Sequence, residues 1–188
     1  MRQPTLVIMV KEPRPGYAKT RLGRDIGMTR AAWWFRHQTR ALIRRLRDPR
    51  WHIILAVAPD REGLQSRVWP EDIARLPQGP GNLGDRMARM LRSTTGPTLV
   101  IGADIPGVTS PHIAQAFRVL GENASVLGPA PDGGYWLVGV KHPRRAPPTL
   151  FQNVRWSTEH ALKDTEKTLP TPIAKTATLR DVDTATDL

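Results

Sequence analysis

Three groups of residues in this 188-residue chain have types and spacing suited to chemistry. The first centres on Asp104, in Thr98-Leu-Val-Ile-Gly-Ala-Asp-Ile-Pro-Gly-Val108, where an apolar run stops at Gly102 and a carboxylate and a proline follow. That is the pattern of a buried parallel strand delivering Asp104 to its carboxyl edge, with Pro106 forcing the chain out of the sheet. Ligands of open α/β sheets bind at that edge. The alternative is a turn aspartate that holds its own backbone. The second group is Lys11-Glu-Pro-Arg-Pro-Gly-Tyr-Ala-Lys-Thr-Arg-Leu22, a basic, proline-rich loop directly after an apolar strand. Backbone amides freed by Gly16, with the cations of Lys19 and Arg21, make a cradle for a di- or triphosphate. It lacks the glycine spacing and the ending of a Walker loop, and a basic surface loop is the other reading. The third group is Asp181 and Asp183, which share a face if the closing segment is extended. Two acids in register beside a carboxylate crevice suit a hard cation, since Mg²⁺ takes one or two carboxylates and leaves substrate phosphates to fill its shell.

Two glycine-rich stretches add to these. Gln78-Gly-Pro-Gly81 opens a helix, a position that can receive a nucleotide. Gly133 and Gly134, beside Asp132, let another group approach the backbone closely, although Asp-Gly also makes an ordinary hairpin turn.

The elements that must position these residues follow from hydrophobic pattern. Thr5–Val10 reads as a central strand and His52–Ala58 as a second. Between them Thr29 caps a helix to about Arg47, with Ala32, Phe35, Leu42 and Leu46 at helical spacing. Trp33 and Trp34 are expected against the sheet or a neighbouring chain. Arg61–Pro80 is polar, with one short helical stretch, and Asn82–Arg92 is a helix burying Leu83, Met87 and Leu91. Ser110-Pro111 starts a helix that Gly121 ends, carrying Ile113, Phe117 and Leu120 inward. Ser125–Leu127 is a short strand, an alternating strand follows Gly134, and Ser157 or Thr158 caps a last helix. Alternating strands and helices predict parallel βαβ units.

The chain is long enough for one domain that buries roughly 70% of its unfolded surface. Without cysteine, disulfides, thiolate nucleophiles and zinc-thiolate sites are excluded. No signal sequence or membrane span is read, so a soluble, cytoplasmic protein is expected. The net charge of +11 implies polyanionic partners: nucleic acid, acidic membrane surfaces or phosphorylated small molecules. Arg30, Arg40, Arg44 and Arg47 fall along one side of the first long helix, which reads as a solvated face. Trp33, Trp34 and His37 beside arginines keep nucleic-acid binding as the weakest reading, since no recognised binding motif accompanies them.

Lys11–Leu22 resembles the Lys-x-Pro-x-Pro-Gly-x-x-Lys-Thr-Arg-Leu opening of the DUF2064 family, glycosyltransferase-like proteins of the GT-A, or nucleotide-diphospho-sugar transferase, superfamily. Five further blocks fit in order: Gln78 with Asn82–Met87, Ile101–Pro106, Leu127–Trp136, Phe151 with Trp156–Thr158, and Asp181–Thr184 with Asp187-Leu188. The chain also looks like a distant relative of molybdenum-cofactor and phospholactate guanylyltransferases, which share the Asp-x-Pro turn. Ile105 stands where the family often has cysteine. The resemblance implies a Rossmann-like α/β three-layer sandwich with a mostly parallel mixed sheet, a divalent cation (Mg²⁺ or Mn²⁺) and a nucleotide-sugar or NTP donor. It implies that Asp104 and Asp183 hold the metal, that Lys19, Arg21 and Gly16 serve the phosphates, and that Gln78, Asn82 and the adjacent glycines contact the nucleoside. Gly133 and Gly134 are read with them as nucleotide- or phosphate-binding, and Asp132 beside these glycines is then the candidate for orienting or deprotonating a hydroxyl of a small-molecule acceptor. Glycosyl transfer is the leading expectation and nucleotidyl transfer, releasing pyrophosphate, its rival.

Overall fold

The computed structural model describes residues 3–182. Seven strands form one sheet in the order β3-β2-β1-β4-β6-β5-β7. β1 (Thr5–Lys11) lies between β2 (His52–Ala58) and β4 (Thr98–Gly102), parallel to both, with Ile8 opposite Leu55 and Ile101. β3 (Ala74–Pro77) adds a parallel edge beside β2. β6 (Tyr135–Val140) runs antiparallel to both β4 and β5 (Ser125–Pro129), and β7 (Ile173–Lys175) closes the other edge parallel to β5. The sheet is therefore mixed and mostly parallel, as expected.

Strand side chains alternate between two cores, which makes three layers. Leu6, Ile8 and Val10 pack with Phe35, Leu42 and Ile43 of α2 (Met28–Arg45) and Ile113, Ala116 and Leu120 of α5 (Ser110–Glu122). Val7, Val100 and Val138 face the opposite way, against Met87, Met90 and Leu91 of α4 (Leu83–Arg92) and Ala161 of α6 (Ala161–Glu166). No helix among the described residues is long and apolar enough to cross a membrane.

Several local expectations are corrected. The basic loop ends earlier than Leu22, because Thr20–Ile26 forms a short helix, α1. α2 then starts after Gly27, in a left-handed conformation, and not from a Thr29 cap. The polar stretch 61–80 holds α3 (Asp60–Gln65) and also β3, whose half-exposed side chains give it no apolar signal. Leu83 is 46% exposed, so α4 buries Met87 and Leu91 without it. Trp33 is 63% exposed and packs against no core, while Trp34 is half-buried. β6 is buried on both faces from Trp136 onward, because it is an interior strand covered on both sides. The helix start at Ser110-Pro111 agrees, with Thr109 one residue earlier as its cap, and the helix runs one residue past Gly121. α6 begins after His160, with Ser157 instead in the left-handed region at φ 60°.

Candidate active site

From β1 the chain passes outward to β2 and β3, then returns to β4 on the other side of β1. Reversals of this kind leave a crevice at the carboxyl ends of the two central strands. Here it has a volume of about 830 Å³. Its walls come from the β1 loop (17–21), the β4 turn (102–105), the start of α4, the β5–β6 hairpin, residues 156–159 and Asp181.

The β4 turn holds Asp104 firmly. Ile105 is buried in the core at 2% exposure, which anchors the turn from below. Arg45, at the end of α2, donates from Nε to the Val108 carbonyl (2.7 Å) and from Nη2 to that of Pro106 (2.8 Å). The Asp104 carboxylate folds back over Gly102, where a Cβ would lie 2.8 Å from Oδ1 and push it aside. The closing segment docks on the same turn, Val182 donating its N–H to the Asp104 carbonyl at 3.0 Å.

Lys19 meets this turn from the other strand. Its backbone is left-handed (φ 50°, ψ 50°), a conformation costing on the order of 1–3 kcal/mol for a residue with a Cβ. Its ammonium lies 2.7 Å from Asp104 Oδ2 and donates to the Val182 carbonyl at 2.5 Å. The Lys19 side chain is only 7% exposed and that of Asp104 31%. One cation thus ties the β1 loop, the β4 turn and the closing segment together. Arg21 lines the crevice beside it.

The other sequence candidates divide. Asn82 lines the crevice and caps α4, its Oδ1 accepting from the Asp85 N–H while Asp85 returns the bond to the Asn82 N–H. Gln78 also lines the crevice but is 4% exposed. Its Nε2 donates to the Val10 and Ala56 carbonyls, at 3.1 and 2.8 Å, and so clamps the ends of β1 and β2. Both amide hydrogens are used structurally, and Oε1 lies 3.4 Å from Nη1 of Arg86, another residue of the crevice wall. Asp132 is exposed, and its Oδ1 accepts from the Gly134 N–H at 2.9 Å within the β5–β6 hairpin. The Asp-Gly turn therefore exists as such, with Asp132 and Gly134 on the crevice wall. Gly133 lies outside the lining: at φ +85°, a Cβ would meet the Glu159 carbonyl oxygen at 2.4 Å, so the close approach there is by the chain's own backbone. Gly16, also left-handed, is exposed and lies outside the lining, which takes in Lys11 and then Tyr17–Arg21 of this loop. Asp183 lies outside the described residues, and its neighbour Asp181 lines the crevice.

Sequence reasoning missed Arg45, Arg86 and the aromatic floor. Tyr135 and Trp136 follow the hairpin, and the Trp136 indole donates to the Ala177 carbonyl at 2.8 Å. Burial raises the Tyr135 pKa, so its hydroxyl, bonded to that of Thr165, stays protonated. Trp156 lines the crevice too, and its Nε1 is buried without a hydrogen-bond partner among the described residues. Among the described residues no three His, Cys, Asp or Glu side chains form a metal cage. A hard cation held by one or two carboxylates and by phosphate oxygens does not need one.

The mixed seven-stranded sheet covered by helices is an α/β fold of the nucleotide-sugar transferase-like kind. Residues 41–158 match the family described as "Uncharacterized protein conserved in bacteria (DUF2064)", and the chain belongs to that family. No curated protein matches it. Among solved structures it is similar to a candidate nucleotide-diphospho-sugar transferase from Desulfovibrio desulfuricans G20, with 25% identity over 98% of this chain and 84% of that one and a TM-score of 0.85. The fold also matches Rv0371c of Mycobacterium tuberculosis H37Rv in complex with manganese, at 16% identity, 99% and 96% coverage and a TM-score of 0.53. A third match is 4-diphosphocytidyl-2C-methyl-D-erythritol synthase of Anaerococcus prevotii DSM 20548, at 9% identity, 99% and 94% coverage and a TM-score of 0.59.

Proposed function

We propose that the chain acts as one nucleotide-diphospho-sugar transferase-like domain, transferring a glycosyl group from a nucleoside-diphosphate sugar to a small-molecule hydroxyl acceptor. The likeness to a nucleotide-diphospho-sugar transferase fold supports glycosyl transfer, and the observation that carries a nucleotide-linked donor is the contact of Lys19 with Asp104, 2.7 Å apart at the carboxyl edge of the sheet. It puts a cation and an anion in one crevice wide enough for a sugar nucleotide.

Asp104, with Asp181 or Asp183 from the closing segment, would hold Mg²⁺ or Mn²⁺, which when bound supplies charge neutralisation for the donor's phosphates. Lys19 and Arg21 bind and orient the diphosphate, and their positive charge favours the leaving group as its negative charge develops. Asn82 and the Oε1 face of Gln78 border the nucleoside end. The acceptor oxygen forms a bond to the anomeric carbon as the bond to the diphosphate oxygen breaks. The hydroxyl proton passes to Asp132 or to water beside it, and the electron pair leaves with the nucleoside diphosphate. Tyr135, kept protonated by burial, offers a hydroxyl and never a phenolate.

One observation favours nucleotidyl transfer as a second reading: a lysine, and not a second carboxylate of the same turn, stands beside Asp104. That arrangement suits a triphosphate, with the acceptor's phosphate oxygen attacking the α-phosphorus and pyrophosphate leaving. The test is product analysis with Mn²⁺ present, incubating the protein separately with sugar nucleotides and NTPs and a panel of acceptors. Nucleoside diphosphate and a glycosylated acceptor are expected. Pyrophosphate from an NTP, with sugar nucleotides inert, would transfer the assignment to the second reading.

A further inference from the structure

α2 carries arginines that do not line the crevice. Its residues Ala31, Ala32, Phe35, Thr39, Leu42 and Ile43 are buried, which fixes the rotation of the helix on the sheet. The outward arc then presents Arg30, Trp33, Arg36, His37, Arg40 and Arg44, all exposed. At 3.6 residues per turn these lie within about 120° of the circumference, along a ridge of about 21 Å. The helix contains no acidic residue. Arg47 continues the line but is taken by Asp72, at 2.5 Å. The side chains of Arg30, Arg36, Arg40 and Arg44 make no hydrogen bond or ion pair among the described residues. Near its N-terminal end stands Trp33, 63% exposed, the costliest apolar side chain to leave in water. His37 stacks on one face of its indole, with ring centroids 3.9 Å apart, and Nδ1 of His37 donates to the Trp33 carbonyl at 2.8 Å.

We propose that this ridge docks the protein on an anionic lipid surface. A helix packed flush on its sheet meets a plane without having to protrude. Its arginines reach lipid phosphates while the indole settles at headgroup depth, where tryptophan is favoured. Nucleic acid fits less well. Insertion of Trp33 between bases needs both faces of the ring, and His37 covers one. This inference is independent of the transfer reaction.

The test is co-sedimentation of the full chain with vesicles of phosphatidylcholine alone or mixed with phosphatidylglycerol, at moderate salt, with a single-stranded oligonucleotide as competitor. Binding is expected only to the anionic vesicles. It should weaken about fivefold for each arginine neutralised, hence about a hundredfold in the triple variant Arg36→Gln, Arg40→Gln, Arg44→Gln. Trp33→Ala should weaken it further, and thermal melts of both variants check that these surface changes leave the fold intact. No binding to anionic vesicles, binding unchanged in the folded triple variant, or oligonucleotide binding that displaces the vesicles would each overturn the proposal.

Discussion

At the scale of single residues, Lys19 bears two constraints at once: a left-handed backbone and an ammonium shared between the Asp104 carboxylate and the Val182 carbonyl. Strain of this kind persists where surrounding structure holds it, and here it aims a nearly buried cation into the crevice. Lys19→Ala is expected to lower the transfer rate by about 10²-fold or more, as removal of one charge-stabilising donor does elsewhere. Steady-state kinetics would measure it, and circular dichroism should show the fold intact. Gln78 makes the opposite case. Gln78→Leu is expected to cost about 1–3 kcal/mol of stability in urea melts, by leaving the Val10 and Ala56 carbonyls without their donor. Nucleotide affinity of the folded variant should change little, since Oε1 already faces Arg86; a large affinity loss at unchanged stability would make Gln78 a direct nucleoside contact instead of a strand clamp.

At the scale of elements, the crevice wall 156–159 depends on an anchor outside it. Arg155 donates its backbone N–H and its guanidinium to Asp164 of α6, with Nε 2.7 Å from Oδ2. The Arg155 side-chain bond, aided by Lys167, holds the Asp164 pKa well below the ordinary carboxylate range. A depressed folded pKa contributes stability above the unfolded value, near pH 4, that fades as pH falls toward the folded one. Asp164→Asn should therefore lower the melting temperature at neutral pH, with the gap to wild type narrowing below about pH 4. The hairpin is fixed differently. Gly133→Ala forces a Cβ onto the Glu159 carbonyl oxygen at positive φ, and denaturant melts should register a loss of about 1–3 kcal/mol or more. Sequence legibility follows from the same physics. β1, β2 and β4 announce themselves because buried parallel strands are continuous apolar runs, whereas β3 is a half-exposed edge. α1 was hidden because a seven-residue helix beginning at a strained lysine has neither a side-chain cap nor an acid in its first turn.

At the scale of the whole molecule, strand order does what no local motif does. It gathers residues 17–21, 102–105, 130–136, 156–159 and 181 into one crevice. Asp104 and Lys19 were legible because a carboxylate ending an apolar run and a basic loop following one are local patterns. Burial of Gln78 and the bracing by Arg45 were not, since both depend on partners far along the chain, such as Val10 and Val108. The central claim is that this crevice takes a nucleotide-linked donor through Lys19 and Asp104. The most direct measurement is a thermal shift of wild type and Asp104→Asn against sugar nucleotides and NTPs, each with Mn²⁺ and with chelator. A ligand at a hundred times its dissociation constant adds about 2.7 kcal/mol to the native state. A clear, Mn²⁺-dependent rise in melting temperature with a sugar nucleotide is expected, lost in Asp104→Asn. No rise with any nucleotide, or an equal rise in the variant, would contradict it.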